Sequence, residues 1–392
     1  MRKPEFSQAV AALAIPVCQP ESPRFEDVAD DFRSILDSGV LTAGPYLEAL
    51  EEEVAAHVGC RHAVAVSSCT MGLTLTLRSL GLTGEAVLPS FTFCATAAAV
   101  VWAGLKPVFV DSDRRTFNVD PAAVDAAITA RTSAIIATHV FGNPAQVASL
   151  EHIASTRGIA LVFDAAHGFG SRRRGQPLGC GGNAEVFSCS PTKLVVAGEG
   201  GIITTNDPDL ARSLRVAREY GNPGDYNCTM VGTNARLSEL HAALGRVSLR
   251  SIEETSLARN RIARQYRQAL SGVPGISFQH IPTGSRSSYK DFAVVVDEAM
   301  FGRSRNELAL RLAAEGIDTR AYYCPPVHAQ HAFVRYVKSG AELPVATWLS
   351  ERVLCLPIYR RMAGLVEHIV DRVCSLQQTS GPGTSRGLEV AA

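Results

Sequence analysis

Residues 161–201 read LVFDAAHGFGSRRRGQPLGCGGNAEVFSCSPTKLVVAGEGG. The stretch is entered through an apolar run, 159–163, with the composition of a buried strand, and that run delivers Asp164 at its carboxyl end. A second short strand is predicted over 184–188. It leads into a turn carrying Pro191, Thr192 and Lys193, and the loop 198–201 then opens a third apolar run, 202–205. One carboxylate and one amine thus arrive at strand ends beside small, glycine-rich loops. That edge is where open α/β sheets bind their ligands.

An amine and a carboxylate so placed suit pyridoxal phosphate chemistry. The lysine amine can form a Schiff base with the cofactor aldehyde, and the aspartate can keep the pyridine nitrogen protonated so that the ring accepts electrons. Such a lysine must be desolvated or electrostatically tuned to be nucleophilic near neutral pH. On spacing alone the commoner reading is plainer: Asp164 caps a helix and Lys193 is a solvated loop lysine.

Outward from this stretch, the chain alternates short apolar runs with helical patterns. HAVAVS (62–67) is β-rich and passes directly into SCTMGLTLTLRSLG, a helix whose start carries Ser68, Cys69 and Thr70. Free amides and the helix dipole make such a start a phosphate site, although an ordinary N-cap would look the same. AVLP, KPVFVD, SAIIATHV and ALVFD are the next strand candidates, with helices predicted over 92–103, 121–130 and 147–157. This rhythm predicts an α/β fold, a mostly parallel central sheet with helices on both faces. Helices are also predicted over 24–38, from Gly44-Pro45 to Gly59, and as one long segment over 237–270. Beyond Pro274 the composition shifts to short strands, a serine-rich patch and a helix over 305–315, which suggests a smaller α+β C-terminal domain. The expected organisation is an N-terminal arm (1–23), a large domain (24–250), a small domain (251–376) and a disordered tail (377–392).

The 392 residues are 46% hydrophobic and carry no net charge, so nothing marks a nucleic-acid or anionic-membrane partner. The longest nearly uncharged apolar stretch, 95–105, is too short to span a bilayer. No convincing cleavage site follows the basic start. The ten cysteines are scattered without a CxxC pair; they read as reduced cytosolic thiols, with Cys18, Cys60, Cys180, Cys228, Cys324, Cys355 and Cys374 as small packing residues and no metal site. Arg172, Arg173 and Arg174 read as a hairpin tip, ordinarily a solvated face.

FDAAHGFG, FSCSPTK and AGEGG in this order, with GPYLEALEEEVAAHVG and PSFTFCAT before them and GTNARLSELHAALG after, resemble the DegT/DnrJ/StrS family of nucleotide-sugar aminotransferases. The resemblance runs from about residue 44 to about residue 362. It implies a fold-type-I pyridoxal phosphate transferase in which Lys193 holds the cofactor and Asp164 pairs with its ring nitrogen. It further implies that Ser68, Cys69, Thr70 and Ser188 cradle the phosphate, that Phe93 stacks on the ring and that His167 sits near the 3-hydroxyl. Asn234 matches an asparagine supplied to the phosphate by the neighbouring subunit; read alone, it would cap the following helix. Arg236 lies in the same loop, and Tyr322 and His328 match residues that approach the sugar. The same resemblance puts the arginine hairpin near the active-site mouth. The chain departs from the family at Cys69 for glycine, Thr192 for serine, Ala235 for an aromatic and Arg360 for proline.

The implied activity moves an amino group from L-glutamate to a nucleotide-linked, dTDP-type 4-keto-6-deoxyhexose, in a cytoplasmic homodimer with shared active sites. A C3-keto-sugar or inosose acceptor stands as an alternative. Two rivals remain: a sugar dehydratase of the same fold, which would carry histidine in place of Lys193, and a non-catalytic cofactor-binding regulator. A nicotinamide dehydrogenase is disfavoured, because no GxGxxG follows the first strand.

Overall fold

The computed structural model describes residues 15–337, 342–362 and 364–377. Most of the predicted arm and nearly all of the predicted tail lie outside these residues. The strands in chain order are His62–Val66 (β1), Glu85–Pro89 (β2), Lys106–Val110 (β3), Thr132–Thr138 (β4), Ala160–Asp164 (β5), Arg172–Arg173 (β6), Gln176–Pro177 (β7), Ala184–Ser188 (β8), Gly201–Thr205 (β9), Ile276–Phe278 (β10), Ser285–Arg286 (β11), Phe292–Val296 (β12) and Val353–Leu356 (β13).

Seven of them form the central sheet, in the order β1-β9-β8-β5-β4-β2-β3. The ladders from β8 through β5, β4 and β2 to β3 are parallel. β9 runs antiparallel to both neighbours, with Gly201 opposite Val66 on one side and Ser188 on the other. That reversal has a functional result. The loop entering β9 lies on the same sheet edge as the carboxyl ends of β1, β8 and β5, so Ser68, Lys193 and Asp164 converge there.

The strands read as continuous apolar runs because both faces are covered. Alternate residues divide between two layers. Ala86, Leu88, Ile136, Val162, Val186 and Ile203 face one core with Leu73 and Leu77 from the helix Cys69–Ser79. Val87, Ile135, Ala137, Leu161 and Phe163 face the opposite core with Leu150 of the helix Val147–Arg157. A second, antiparallel sheet, β10-β12-β13, turns Phe292, Val294 and Val296 toward Tyr266 and Leu270, while Ala293 and Val295 join the first core.

Two helix expectations need correction. The 24–38 segment is a short 3-10 turn, Phe25–Asp27, followed by a helix over Ala29–Ser38 that Gly39 ends at φ 71°. The 237–270 segment is two helices, Glu239–Arg250 and Ile252–Leu270, separated at Ser251. Ser251 Oγ bonds the Ser248 carbonyl at 3.0 Å and so competes with the helical ladder. The cysteine reading also needs amendment. All ten are free thiols, but Cys180, Cys228, Cys324 and Cys374 are exposed rather than packed. Among the described residues, no helix is long and apolar enough to cross a membrane.

Candidate active site

Asp164 and Lys193 line one cavity of about 290 Å³ at the carboxyl edge of the central sheet. Ser68, Cys69, Thr70, Phe93, His167, Ser188 and Tyr322 line it too. Backbone bonds fix the turn that presents the lysine: Lys193 N donates to the Ser190 carbonyl at 3.0 Å, Ala197 N to Cys189 O at 2.9 Å, and Cys189 N to Gly200 O at 2.9 Å.

Burial pushes the Lys193 ammonium down to about 8, and the positive charge of Lys290 pushes the same way. Asp291, Cys69 and Asp164 oppose the shift in part. Near neutral pH a useful fraction of this amine is therefore unprotonated, as a nucleophile or proton acceptor requires.

Asp164 sits almost fully buried at the end of β5. Its Oδ2 accepts from Thr96 Oγ1 at 2.6 Å and its Oδ1 from Ala166 N at 3.1 Å. Thr92 Oγ1 joins Thr96 and Thr138, at 2.9 and 3.0 Å, into a hydroxyl chain behind the carboxylate. Such bonds hold a carboxylate in one orientation.

His167 Nδ1 accepts from Phe141 N at 3.2 Å, and the ring stacks on Phe141 with centroids 6.3 Å apart. Burial lowers its basicity well below the usual histidine range, reinforced by Lys193 and Lys290. The imidazole is thus neutral, with its proton on Nε2 as a donor. Burial holds the Cys69 thiol well above its ordinary pKa, so it stays protonated.

The helix Cys69–Ser79 starts where Ser68 caps it, its hydroxyl accepting from Met71 N at 3.2 Å. Gly201 passes so close that a Cβ there would stand 2.5 Å from Cys69 N and from the Ser68 carbonyl carbon. This glycine lets β9 and the helix start share one small space. Around that junction the cavity gathers the hydroxyls of Ser68, Thr70, Ser188, Ser190 and Thr192. Phe93, more than half exposed, opens its ring at the mouth.

Three predicted residues lie elsewhere on this chain. Asn234 is exposed, beside the bridge it forms with Glu219, and does not line the cavity of its own chain. Arg236 pairs with Glu219 at 3.2 Å and lies over the Tyr220 ring. His328 Nδ1 meets Ser90 Oγ at 2.5 Å and faces a separate groove with Trp348 and Arg352. Arg172 pairs with Glu253 of the helix Ile252–Leu270 and also stays out of the cavity. Conversely, the cavity includes Thr92, Thr138, Lys290, Asp291 and Tyr323, none of which the sequence reading singled out. Lys290 and Asp291 are buried and paired at 2.9 Å, with Lys290 Nζ 5.6 Å from the Tyr322 ring centroid.

The donor set fits pyridoxal phosphate. Hydroxyls and a helix start stand at one end for the phosphate, a buried carboxylate for the ring nitrogen, a neutral imidazole donor for the 3-hydroxyl, an open aromatic face and a depressed-pKa amine.

The model of the DegT/DnrJ/EryC1/StrS aminotransferase family matches residues 24–375. The chain is 38% identical to the erythromycin biosynthesis sensory transduction protein EryC1 of Saccharopolyspora erythraea, covering 85% of this chain and 90% of that one. It is 37% identical to the dTDP-3-amino-3,4,6-trideoxy-alpha-D-glucose transaminase of Streptomyces venezuelae, covering 83% and 85%. Identity to the dTDP-4-amino-4,6-dideoxy-D-glucose transaminase of Escherichia coli is 32%, covering 92% and 97%. Among solved structures, DesI in the presence of its TDP-sugar product superposes with a TM-score of 0.87 at 37% identity, covering 92% and 93%.

Proposed function

The chain belongs to the DegT/DnrJ/EryC1/StrS aminotransferase family, and from that premise we propose that it transfers an amino group from L-glutamate to a nucleotide-linked 4-keto-6-deoxyhexose. The cofactor is pyridoxal phosphate. When bound, it supplies an aldehyde that takes up the amino group and a ring that accepts electrons. The observation that carries the reading is the convergence of Lys193 and Asp164 in one cavity with the hydroxyl set.

Lys193 would provide the amine that holds the cofactor, and the same amine would take and return the proton of the substrate α-carbon. Its pKa of about 8 suits both directions of transfer. Asp164, fixed by Thr96 and Ala166 N, would present its carboxyl group to a ring N–H. Ser68, Thr70 and Ser188 would anchor the phosphate and so hold the cofactor in one place. Tyr322 and Tyr323 wall the cavity on the side of the second sheet, where the sugar would lie.

The exposed Asn234 supports a shared site, in which it reaches the partner's phosphate within a cytoplasmic homodimer. A 3-keto acceptor is the second reading, favoured by the 37% identity to a transaminase named for a 3-amino sugar. The deciding experiment runs the two half-reactions apart. Glutamate aminates the cofactor, and a panel of nucleotide-linked 3-keto and 4-keto sugars is tested for return of the aldehyde absorbance. Return with none of them, after amination by glutamate, would sink the sugar assignment.

A further inference from the structure

Beyond the opposed effects of its two charges on Lys193, the buried pair Lys290–Asp291 has no role in the chemistry just described. Both side chains lie at the entry of β12, each 4% exposed, and both line the cavity. Lys290 Nζ donates to Asp291 Oδ1 at 2.9 Å. Asp291 Oδ2 is buried with no hydrogen-bond partner among the described residues. A carboxylate oxygen withdrawn from water without a donor is costly, and such an orphan in a cavity wall points to a donor that a ligand brings. Lys290 has three N–H groups and gives Asp291 one, so further donors stand beside the orphan acceptor.

Charge decides what the pair can read. Asp291 already neutralises Lys290, so an arriving carboxylate or phosphate would meet a nearby negative charge for little net attraction. A hydroxyl matches both partners: it accepts from Lys290 and donates to Asp291 Oδ2. Of the two substrates that share the cavity, the amino donor offers carboxylates and the sugar offers O–H groups. We propose that Lys290 and Asp291 read a ring hydroxyl of the acceptor sugar. The assignment rests on the sugar aminotransferase reading above. It adds that the accepted sugar keeps a free hydroxyl that meets this pair.

The test follows both half-reactions by cofactor absorbance in the wild type, in Asp291→Asn and in a Lys290→Met/Asp291→Leu double variant that leaves no unpaired buried charge. The probes are L-glutamate, the accepted keto-sugar nucleotide and its mono-deoxy analogues. Any change these variants make to Lys193 falls on both half-reactions, so the sugar half-reaction is read against the glutamate one in the same variant. The sugar half-reaction should need about 10–100-fold more substrate, the loss expected for a hydrogen bond to a charged group. One deoxy analogue should show the same loss on the wild type and little further loss on the variants. Equal slowing with glutamate and sugar, or no discrimination among deoxy analogues by the wild type, overturns the proposal. Should neither variant fold, the deoxy series on the wild type decides alone. If the wild type is aminated but accepts no keto-sugar, the underlying reading falls and this one with it; failure with an accepted sugar condemns the pair alone.

Discussion

Thr96 Oγ1 donates to Asp164 Oδ2 at 2.6 Å, and Thr92 links that hydroxyl onward to Thr138. The carboxylate proposed to pair with the cofactor ring is therefore held from behind by hydroxyls of the helix Cys94–Trp102, the turn before it and β4. Thr96→Val keeps the shape and removes the donor. It should lower kcat by about 10-fold with little change in KM, the size expected for a charge-assisted bond. Asp164→Asn removes the charge itself and should cost about 100-fold or more in both half-reactions. Near-normal amination by glutamate in the asparagine variant would take Asp164 out of the mechanism.

The second prediction concerns acidity. Burial favours the neutral amine of Lys193, so its reactivity in the cofactor-free protein should rise through about pH 8, not near the ordinary lysine value of 10.5. Below the midpoint the ammonium dominates and labelling slows; above it the rate levels off. Pulse acylation with peptide mapping across pH measures this. A midpoint near 10.5 would show that the site does not tune the amine.

Gly201→Ala places a Cβ 2.5 Å from Cys69 N, and the obstacle is backbone rather than a flexible side chain. The helix start must shift, at about 1–3 kcal/mol for overpacking. Cofactor affinity should fall about 10-fold, read by fluorescence titration, with a lower Tm. Wild-type affinity in a folded variant would remove this junction from the phosphate site.

A shared site makes a sharper demand. Lys193→Ala and Asn234→Ala, each poorly active alone, should partly complement when mixed and reassembled. In the heterodimer one site carries both lesions and the other carries neither. If Asn234 served its own chain, every mixed site would be broken one way and no activity would return. Mass measurement of subunit exchange makes a negative result decisive.

The residues legible in the sequence share a physical trait. Asp164 and Ser188 close their strands, Ser68 stands just past another, and Lys193 sits in the Pro191 turn that follows Ser188, so these positions can be read locally. The exact span Val147–Arg157 and the strand Ala184–Ser188 were legible for the same reason, with clear local starts and stops. Lys290 and Asp291 also flank a strand, but in SYKDFAVVVD they read as its solvated beginning. Only the packing of β12 beside the central sheet brings them to the cavity. Thr96 lies in a helix of small residues where nothing local marks it as a partner of Asp164. The break at Ser251 was hidden because amphipathic spacing continues across it.

The antiparallel β9 also sets an order of events. β1 lies at the sheet edge and pairs with β9 alone, His62 meeting Thr205 and Val66 meeting Gly201. During synthesis β1 emerges long before β9 and has no sheet partner until the Lys193 turn and its loop have been made. Closing so long a span is slow, because the chain loses its freedom before the pairing rewards it. The helix start that follows β1 lies directly against Gly201, so the pairing that seats β1 also brings that start beside the loop after Lys193. A chain ending before residue 201 therefore leaves β1 without its sheet partner and the start of the helix Cys69–Ser79 without the β9 backbone that passes against it.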